Sequence, residues 1–119
     1  MNIKRVKGDV GEALAARWLK RHRYRVLEQN YSCRYGEIDI IAQKGGLLCF
    51  VEVKTREVGS YGRPAEAVDY RKQQRILKTA NVYLAQHPCD LQPRFDVAEV
   101  ITDHGRCSEI NYIENAFGE

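Results

Sequence analysis

Acidic residues and a lysine lie close together in the stretch from Gly36 to Thr55, GEIDIIAQKGGLLCFVEVKT. Asp39 stands in its first half, and Glu52 and Lys54 stand in its second half with one residue between them. Carboxylates in such a group can hold Mg²⁺, which proteins usually bind through one or two carboxylates together with waters and substrate phosphate oxygens. These residue types could form a site for a divalent cation, provided that the fold brings the two halves together.

A β-hairpin would bring the two halves together. Residues 37–42 and 47–55 are rich in strand-forming residues, and Gly45-Gly46 between them permits the positive φ of a tight turn. With a two-residue turn there, the facing pairs are Glu37 with Lys54, Ile38 with Val53, Asp39 with Glu52, Ile40 with Val51 and Ala42 with Cys49. Because side chains alternate along a strand, one face of the hairpin is apolar and the other carries the charges.

This register sets two carboxylates against each other. The Cβ atoms of Asp39 and Glu52 would lie about 5 Å apart, where like charges are destabilising. Lys54, about 7 Å further along the same face, could supply the counter-charge. A bound divalent cation is the second candidate.

The elements around the hairpin are predicted in the order helix, three strands, helix, two strands. The expected bounds are a helix from Gly8 or Asp9 to His22, strands at 24–29, 37–42 and 47–55, a helix from Ala65 or Asp69 to Gln86, and strands at 94–101 and 106–113. A mobile loop is expected at 56–64 and a poorly ordered tail at 114–119. Three consecutive strands favour an antiparallel meander, and the second helix is a crossover to the next strand. The expected fold is α/β, with a mixed sheet flanked by helices.

Length and composition limit the class of protein. With 119 residues, the chain is expected to form one domain, residues 1–119. It contains no apolar run long enough to span a bilayer and no signal peptide at its start, so we expect a cytoplasmic protein and no membrane partner. The four cysteines lack zinc-ligand spacing and are expected to be reduced structural thiols. A net charge of +3 says little about partners by itself.

Glu12 interrupts the apolar stripe of the first helix. Ala15, Ala16 and Leu19 follow it on the core-facing side, where an unpaired charge is costly. Glu12 is a helix-start acid stabilised by the positive end of the helix dipole, a partner for Arg23, or a member of the acidic site.

The chain resembles a known family. The strings GEALAARWL, RYGEIDIIA, LLCFVEVKTR and GRPAEAV look like the YraN family, which is related to archaeal-type Holliday-junction resolvases. Glu12, Asp39 and the sequence from Glu52 to Lys54 resemble the motif of the PD-(D/E)xK nuclease superfamily. That resemblance implies a restriction-endonuclease-like αβββαβ core.

The resemblance also implies roles for the acidic residues. Asp39, Glu52 and the backbone carbonyl of Val53 would bind Mg²⁺ or Mn²⁺, with Glu12 as a third acid. Lys54 would position or activate the attacking water. Such a site can hydrolyse a phosphodiester, because the metal lowers the pKa of bound water and neutralises the developing charge.

Further residues are expected to support this site. Glu37 would orient Lys54, and Lys72 and Gln73 on the second helix are accessory candidates. Two basic clusters could contact a phosphate backbone on either side, although charge runs are usually solvated faces. The candidate nucleic-acid-binding residues are Arg17, Arg21, Arg23, Arg56, Arg63, Arg71, Lys72 and Arg75.

The sequence therefore predicts a metal-dependent, resolvase-like DNA endonuclease acting on branched or other DNA, including single strands. Because resolvase relatives work as dimers, a homodimer is expected. One alternative is a nucleic-acid-binding module that has the fold without turnover. Another takes all of these charges as structural, in a protein that binds other proteins.

Overall fold

The computed structural model describes residues 3–59 and 68–118, with side chains from Val10 onward. Two helices and five strands occur in the order expected. They are α1 (Ile3–Arg21), β1 (Arg25–Cys33), β2 (Gly36–Lys44), β3 (Leu47–Glu57), α2 (Tyr70–Gln86), β4 (Gln92–Asp103) and β5 (Arg106–Phe117).

The five strands form one mixed sheet in the order β1-β2-β3-β4-β5. The first three strands are an antiparallel meander, β4 pairs parallel to β3, and β5 pairs antiparallel to β4. A parallel pair requires a crossover connection, and α2 supplies it. The predicted mixed sheet flanked by helices is confirmed.

One helix covers each face of the sheet. Ala15 and Leu19 of α1 pack in a cluster with Val51 of β3, whereas Ile76 of α2 packs in a second cluster with Phe50. Successive residues of β3 thus point to opposite helices, and this central strand is buried on both sides. Neither of the helices in the described ranges is long and apolar enough to cross a lipid bilayer.

The hairpin of β2 and β3 has the predicted register near its turn. Ile40 pairs with Val51 and Ala42 with Cys49, and Gly45 in the turn has a φ of 57°. The pairing ends at Ile40 and Val51. The predicted pairs beyond that point are absent from the ladder.

Ile38 also departs from the prediction. It packs in the cluster around α2, whereas the other apolar residues predicted on its face pack against α1. Beyond Ile40, β2 continues to pair with β1, where Tyr31 is the partner of Ile38. Tyr31 packs against the same α2 cluster, so β2 follows β1 once it has separated from β3.

Several elements are longer than predicted. The first helix begins at Ile3, β1 continues to Cys33, and β3 includes Arg56 and Glu57, which were expected in the loop. The long helix begins at the later of its two predicted starts, because the side chain of Asp69 caps it by accepting a 2.8 Å hydrogen bond from the N–H of Arg71.

The prediction of a poorly ordered tail is wrong for residues 114–117. They belong to β5, and Phe117 is only 8% exposed. Its ring lies 5.5 Å from that of Phe95 in the α2 cluster. The N–H of Asn115 donates a 2.9 Å hydrogen bond to the buried carboxylate of Asp96. Apolar burial and this hydrogen bond order the end of the chain.

Candidate metal and nucleic-acid site

The site lies where β2 separates from β3. Asp39 is the first residue of β2 beyond the shared ladder. Its Oδ2 accepts a 2.8 Å hydrogen bond from the N–H of Val53. The side chain of Asp39 therefore links the two strands at the point where backbone pairing stops.

Gly11 allows α1 to approach β3 closely beside this point. Gly11 is buried, and a Cβ atom added to it would lie 2.5 Å from Oγ1 of Thr55, closer than atoms can pack. The next residue is Glu12. Thus the absence of a side chain at position 11 sets the distance at which Glu12 meets the sheet.

Three carboxylates converge here from α1 and β2. Glu12, Glu37 and Asp39 each offer one oxygen, and these three oxygens lie within 4.8 Å of one another. Glu37 was expected opposite Lys54, but its side chain belongs to this acidic group, and its partner in the ladder is Ser32 of β1.

The donor set fits a hard divalent cation. Carboxylate oxygens are the preferred ligands of Mg²⁺ and Mn²⁺. Two ligand atoms of one Mg²⁺ lie at most about 4.2 Å apart, since each bond is about 2.1 Å long. Side-chain movements of less than about 1 Å would bring the three oxygens into that range.

Negative charge accumulates around Asp39. Burial raises the pKa of Asp39 to about 8, and the neighbouring charges of Glu52 and Glu12 add to the increase. The hydrogen bond from Val53 and the charge of Lys72 oppose it. The hydrogen bond from Val53 and the charge of Lys72 do not offset the increase in the pKa. Additional positive charge beside Asp39 would therefore favour its ionised form.

Lys72 supplies the counter-charge of Glu52. Its Nζ forms an ion pair with Oε1 of Glu52, whose side chain is only 7% exposed, while that of Lys72 is 46% exposed. Lys54 makes no ion pair within residues 10–59 and 68–118. It lies beside Glu99 of β4, which instead bonds to Arg56 at 2.9 Å.

Two cavities meet at Asp39 and Glu52. The larger, of about 740 Å³, lies between α1, β3 and the β4–β5 turn. The smaller, of about 320 Å³, lies between β2 and α2. Its remaining lining residues are Gly36, Glu37, Lys72, Arg75 and Ile76. A ligand could therefore reach the carboxylates from either face of the sheet.

The predicted nucleic-acid-binding residues occupy different places. Lys72 and Arg75 line the smaller cavity, and Arg56 lines the larger. The residues that are exposed and line neither cavity are Arg17, Arg21, Arg23 and Arg71. Those of α1 lie toward its far end, since Arg21 is about 14 Å along the helix from Glu12.

The two remaining candidates have other positions. Nε2 of Gln73 donates a 2.7 Å hydrogen bond to the carbonyl of Val68, at the start of α2. Gln73 lines neither cavity. Arg63 lies outside the residues that the structure describes, as does the rest of the predicted loop from position 60.

The contact between Lys72 and Glu52 could not be read from the sequence. A cap at Asp69 predicts that Lys72 lies in the first turn of α2, but it does not predict where that turn meets the sheet. The apolar stripe of α2 is the only local signal for this contact in the sequence. Ile76 belongs to that stripe and lies one turn after Lys72, and both residues line the smaller cavity.

A second buried carboxylate has a structural role. Asp96 is fully buried and accepts hydrogen bonds from Arg94 at 2.9 and 3.0 Å, Tyr112 at 2.6 Å and Asn115 at 2.9 Å. All of these partners lie in β4 and β5. Asp96 is therefore a salt-bridge partner within the sheet.

Comparison with known proteins places this architecture in a family. Residues 11–100 match the family described as "Uncharacterised protein family UPF0102". The chain is 45% identical over 117 residues to a UPF0102 protein of Caldanaerobacter subterraneus subsp. tengcongensis, covering 96% of both chains. It is 50% identical over 111 residues to a UPF0102 protein of Geobacter metallireducens, covering 92% of this chain and 90% of the relative. A UPF0102 protein of Alkaliphilus metalliredigens is 49% identical over 111 residues, with coverage of 92% and 96%. The resemblance found in the sequence is confirmed, and the chain belongs to UPF0102, the YraN family.

Proposed function

We propose that this protein binds Mg²⁺ or Mn²⁺ at Glu12, Glu37 and Asp39 and hydrolyses phosphodiester bonds in DNA as an endonuclease. The observation that carries this proposal is the convergence of the three carboxylates beside the ion pair of Glu52 and Lys72. Around Asp39, burial and the neighbouring charges of Glu52 and Glu12 outweigh the hydrogen bond from Val53 and the charge of Lys72 and raise the pKa of Asp39.

The residues of the site would have different roles according to their positions. Asp39 is held by Val53 and remains the fixed member of the cluster. Glu12 and Glu37 complete the cation site from α1 and β2. Glu52 keeps Lys72 at the cavity wall, where the ammonium group can contact a phosphate oxygen and stabilise charge on it. A bound divalent cation would lower the pKa of a water molecule and neutralise charge on the phosphate.

Lys54 and Lys72 are the two candidates for the cation beside the reacting phosphate. Lys54 has the position that the nuclease motif assigns to the catalytic lysine. Lys72 is favoured by its ion pair with Glu52 and by its place in the smaller cavity, whose lining does not include Lys54.

The metal site is tested by calorimetric titration with Mn²⁺. We expect the wild-type protein to bind Mn²⁺ and Asp39→Asn to bind it at least about tenfold more weakly. Asp103→Asn is the matched control, because it makes the same chemical change at a half-exposed site outside the cluster. Absence of Mn²⁺ binding by the wild-type protein would contradict the metal site and favour purely structural charges.

The reaction is tested on branched, flapped and single-stranded DNA, first with Mg²⁺ and then with Mn²⁺. Cleavage by the wild-type protein that is lost in Glu52→Gln and in Asp39→Asn would support the endonuclease. Binding without cleavage of any substrate would point to the non-catalytic nucleic-acid-binding module. Cleavage that survives in Glu52→Gln would come from a contaminating enzyme.

A further inference from the structure

A tyrosine surrounded by cations lies next to the smaller cavity. Tyr35 is in the turn between β1 and β2, and its hydroxyl accepts a 2.7 Å hydrogen bond from Arg34. The guanidinium carbon of Arg34 is 4.8 Å from the centre of the ring, and Nζ of Lys78 is 5.8 Å from it. Both distances fall in the range of cation–π attraction, so the ring orients the two positive groups.

The turn and α2 are in direct contact. A Cβ atom added to Gly36 would lie 3.5 Å from Cβ of Arg75 and 3.5 Å from Oγ1 of Thr79, which is ordinary van der Waals contact. Sγ of Cys33 lies 3.7 Å from Oγ1 of Thr79. These contacts hold α2 against the turn, with Arg75 beside Gly36 and Lys78 beside the ring of Tyr35.

Within the residues whose side chains are described, no carboxylate pairs with the positive charges of this group. Arg34, Arg75 and Lys78 are exposed, and none of them forms an ion pair with an acidic residue that the structure describes. Lys72, one turn earlier on α2, is paired with Glu52. Clustered like charges repel one another, and a bound anion relieves that repulsion.

The cation group connects directly to the carboxylate site. Arg75 lines the cavity that also contains Asp39 and Glu52. A strand with one phosphate at the carboxylates would therefore carry its next phosphates past Arg75 toward Arg34 and Lys78. Phosphate contacts of this kind fix the path of a strand without reading its sequence.

We infer that Arg34, Tyr35, Arg75 and Lys78 form a second phosphate-binding subsite, which holds the backbone of a nucleic-acid strand leading away from the carboxylates. This inference rests on the proposed function for the nature of the ligand. It adds two residues of the β1–β2 turn, Arg34 and Tyr35, to the binding surface, and it gives the strand a direction along α2.

The experiment measures binding of a fluorescent single-stranded oligonucleotide to the full-length protein in EDTA, so that neither metal nor cleavage contributes. We expect the double variant Arg34→Gln, Lys78→Gln to bind about tenfold more weakly, because two charge-assisted contacts are lost. The slope of log Kd against log salt concentration should fall by about 0.7 for each lost contact. Tyr35→Leu should weaken binding as well, whereas Tyr35→Phe keeps the ring and should bind nearly as the wild-type protein does.

Arg106→Gln provides the control, since it removes an exposed charge at the start of β5, away from this group. Loss of any two exposed charges should raise Kd by about the square of the fold-change that Arg106→Gln causes. If the double variant raises Kd by no more than that, the subsite is overturned. That result would leave the proposed function standing, provided that the wild-type protein binds DNA. Failure of the wild-type protein to bind any oligonucleotide in EDTA would also overturn the subsite, whereas the proposed function is tested separately by the cleavage assay with Mg²⁺ and Mn²⁺. Melting curves of each variant confirm that the fold is intact.

Discussion

Asp39 carries opposing interactions in one side chain. The N–H of Val53 favours its ionised form, while burial and the charges of Glu52 and Glu12 oppose ionisation and raise its pKa to about 8. The carboxylate is thus costly to the metal-free fold. Such a cost is expected at a residue retained for binding a cation and not for stability.

The pH dependence of stability tests this cost. Because the pKa of Asp39 is higher in the folded chain than its ordinary 3.8, the folded state holds a proton that the unfolded state has lost between about pH 4 and 8. The contribution of Asp39 to the free energy of unfolding is therefore full below pH 4 and is lost as the pH rises through 8.

We expect Asp39→Asn not to lose this contribution to the free energy of unfolding as the pH rises. At pH 9 in EDTA the variant should exceed the wild-type protein in free energy of unfolding by at least about 1.4 kcal/mol, the equivalent of one pKa unit. The difference should shrink toward pH 5. Denaturant titrations at the two pH values measure it, and parallel pH profiles of the two proteins would contradict the prediction.

Lys72 and Lys54 should differ in their effect on stability. Lys72→Gln leaves the nearly buried carboxylate of Glu52 without its ion pair, and we expect a cost of roughly 1–2 kcal/mol, reduced by the exposure of Lys72 to solvent. Lys54→Gln breaks no ion pair within the described residues and should change stability by less than about 0.5 kcal/mol. Urea unfolding of both variants decides the point, and equal costs would argue against a special role for Lys72.

At the scale of elements, the geometry of the site depends on how closely α1 packs against β3. Gly11 is the contact point, because any Cβ there would collide with Oγ1 of Thr55. Alanine in a helix is otherwise more favourable than glycine by about 1 kcal/mol. Steric and helix-forming effects therefore oppose each other at this position.

This opposition allows a rescue experiment. Gly11→Ala alone should lower the free energy of unfolding by roughly 1–3 kcal/mol and weaken Mn²⁺ binding, since Glu12 moves with the helix. Adding Thr55→Ala removes Oγ1, and its Cβ lies an ordinary 3.9 Å from the new methyl group. The double variant should recover at least the wild-type stability. If adding Thr55→Ala does not restore the free energy of unfolding, the contact with Oγ1 of Thr55 is not the cause of the destabilisation by Gly11→Ala.

The hairpin illustrates which parts of an element can be predicted from sequence. Alternating apolar residues predict the pairs from Ile40–Val51 to the turn, because a slip by one residue would expose the buried side chains. They do not predict where the pairing ends. At the end of the ladder, a hydrogen bond from the N–H of Val53 to the side chain of Asp39 replaces backbone pairing, and such a bond lies outside any periodic pattern.

At the scale of the whole molecule, the order of elements and the sheet class are predictable because each element has its own local signal. The assembly of the site is less predictable. Glu12 and Asp39 could be assigned from their resemblance to a nuclease motif, but the grouping of Glu37 with them and the contact of Lys72 with Glu52 depend on distances between separate elements. Local patterns do not specify those distances.

The C-terminal end of the chain contributes to global stability. Phe117 contacts Phe95 in the cluster that α2 covers. We expect Phe117→Ala to cost roughly 2–4 kcal/mol in the free energy of unfolding. Guanidinium unfolding measures the loss, with Phe117→Leu as a control that should cost about half as much or less. An unchanged midpoint for Phe117→Ala would show that the tail is dispensable.

The parallel pairing of β3 with β4 has a consequence for the folding pathway. The strands β1 to β3 can pair through short turns, but Leu47 pairs with Gln92 only after the chain has closed a loop that contains all of α2. Closing such a loop is slow compared with forming a hairpin. Asp39 and Glu52 thus come together early in the meander, before α2 brings Lys72 to them. During that interval Glu52 lacks its ion pair with Lys72, so dissolved ions that screen the repulsion between Asp39 and Glu52 should accelerate folding.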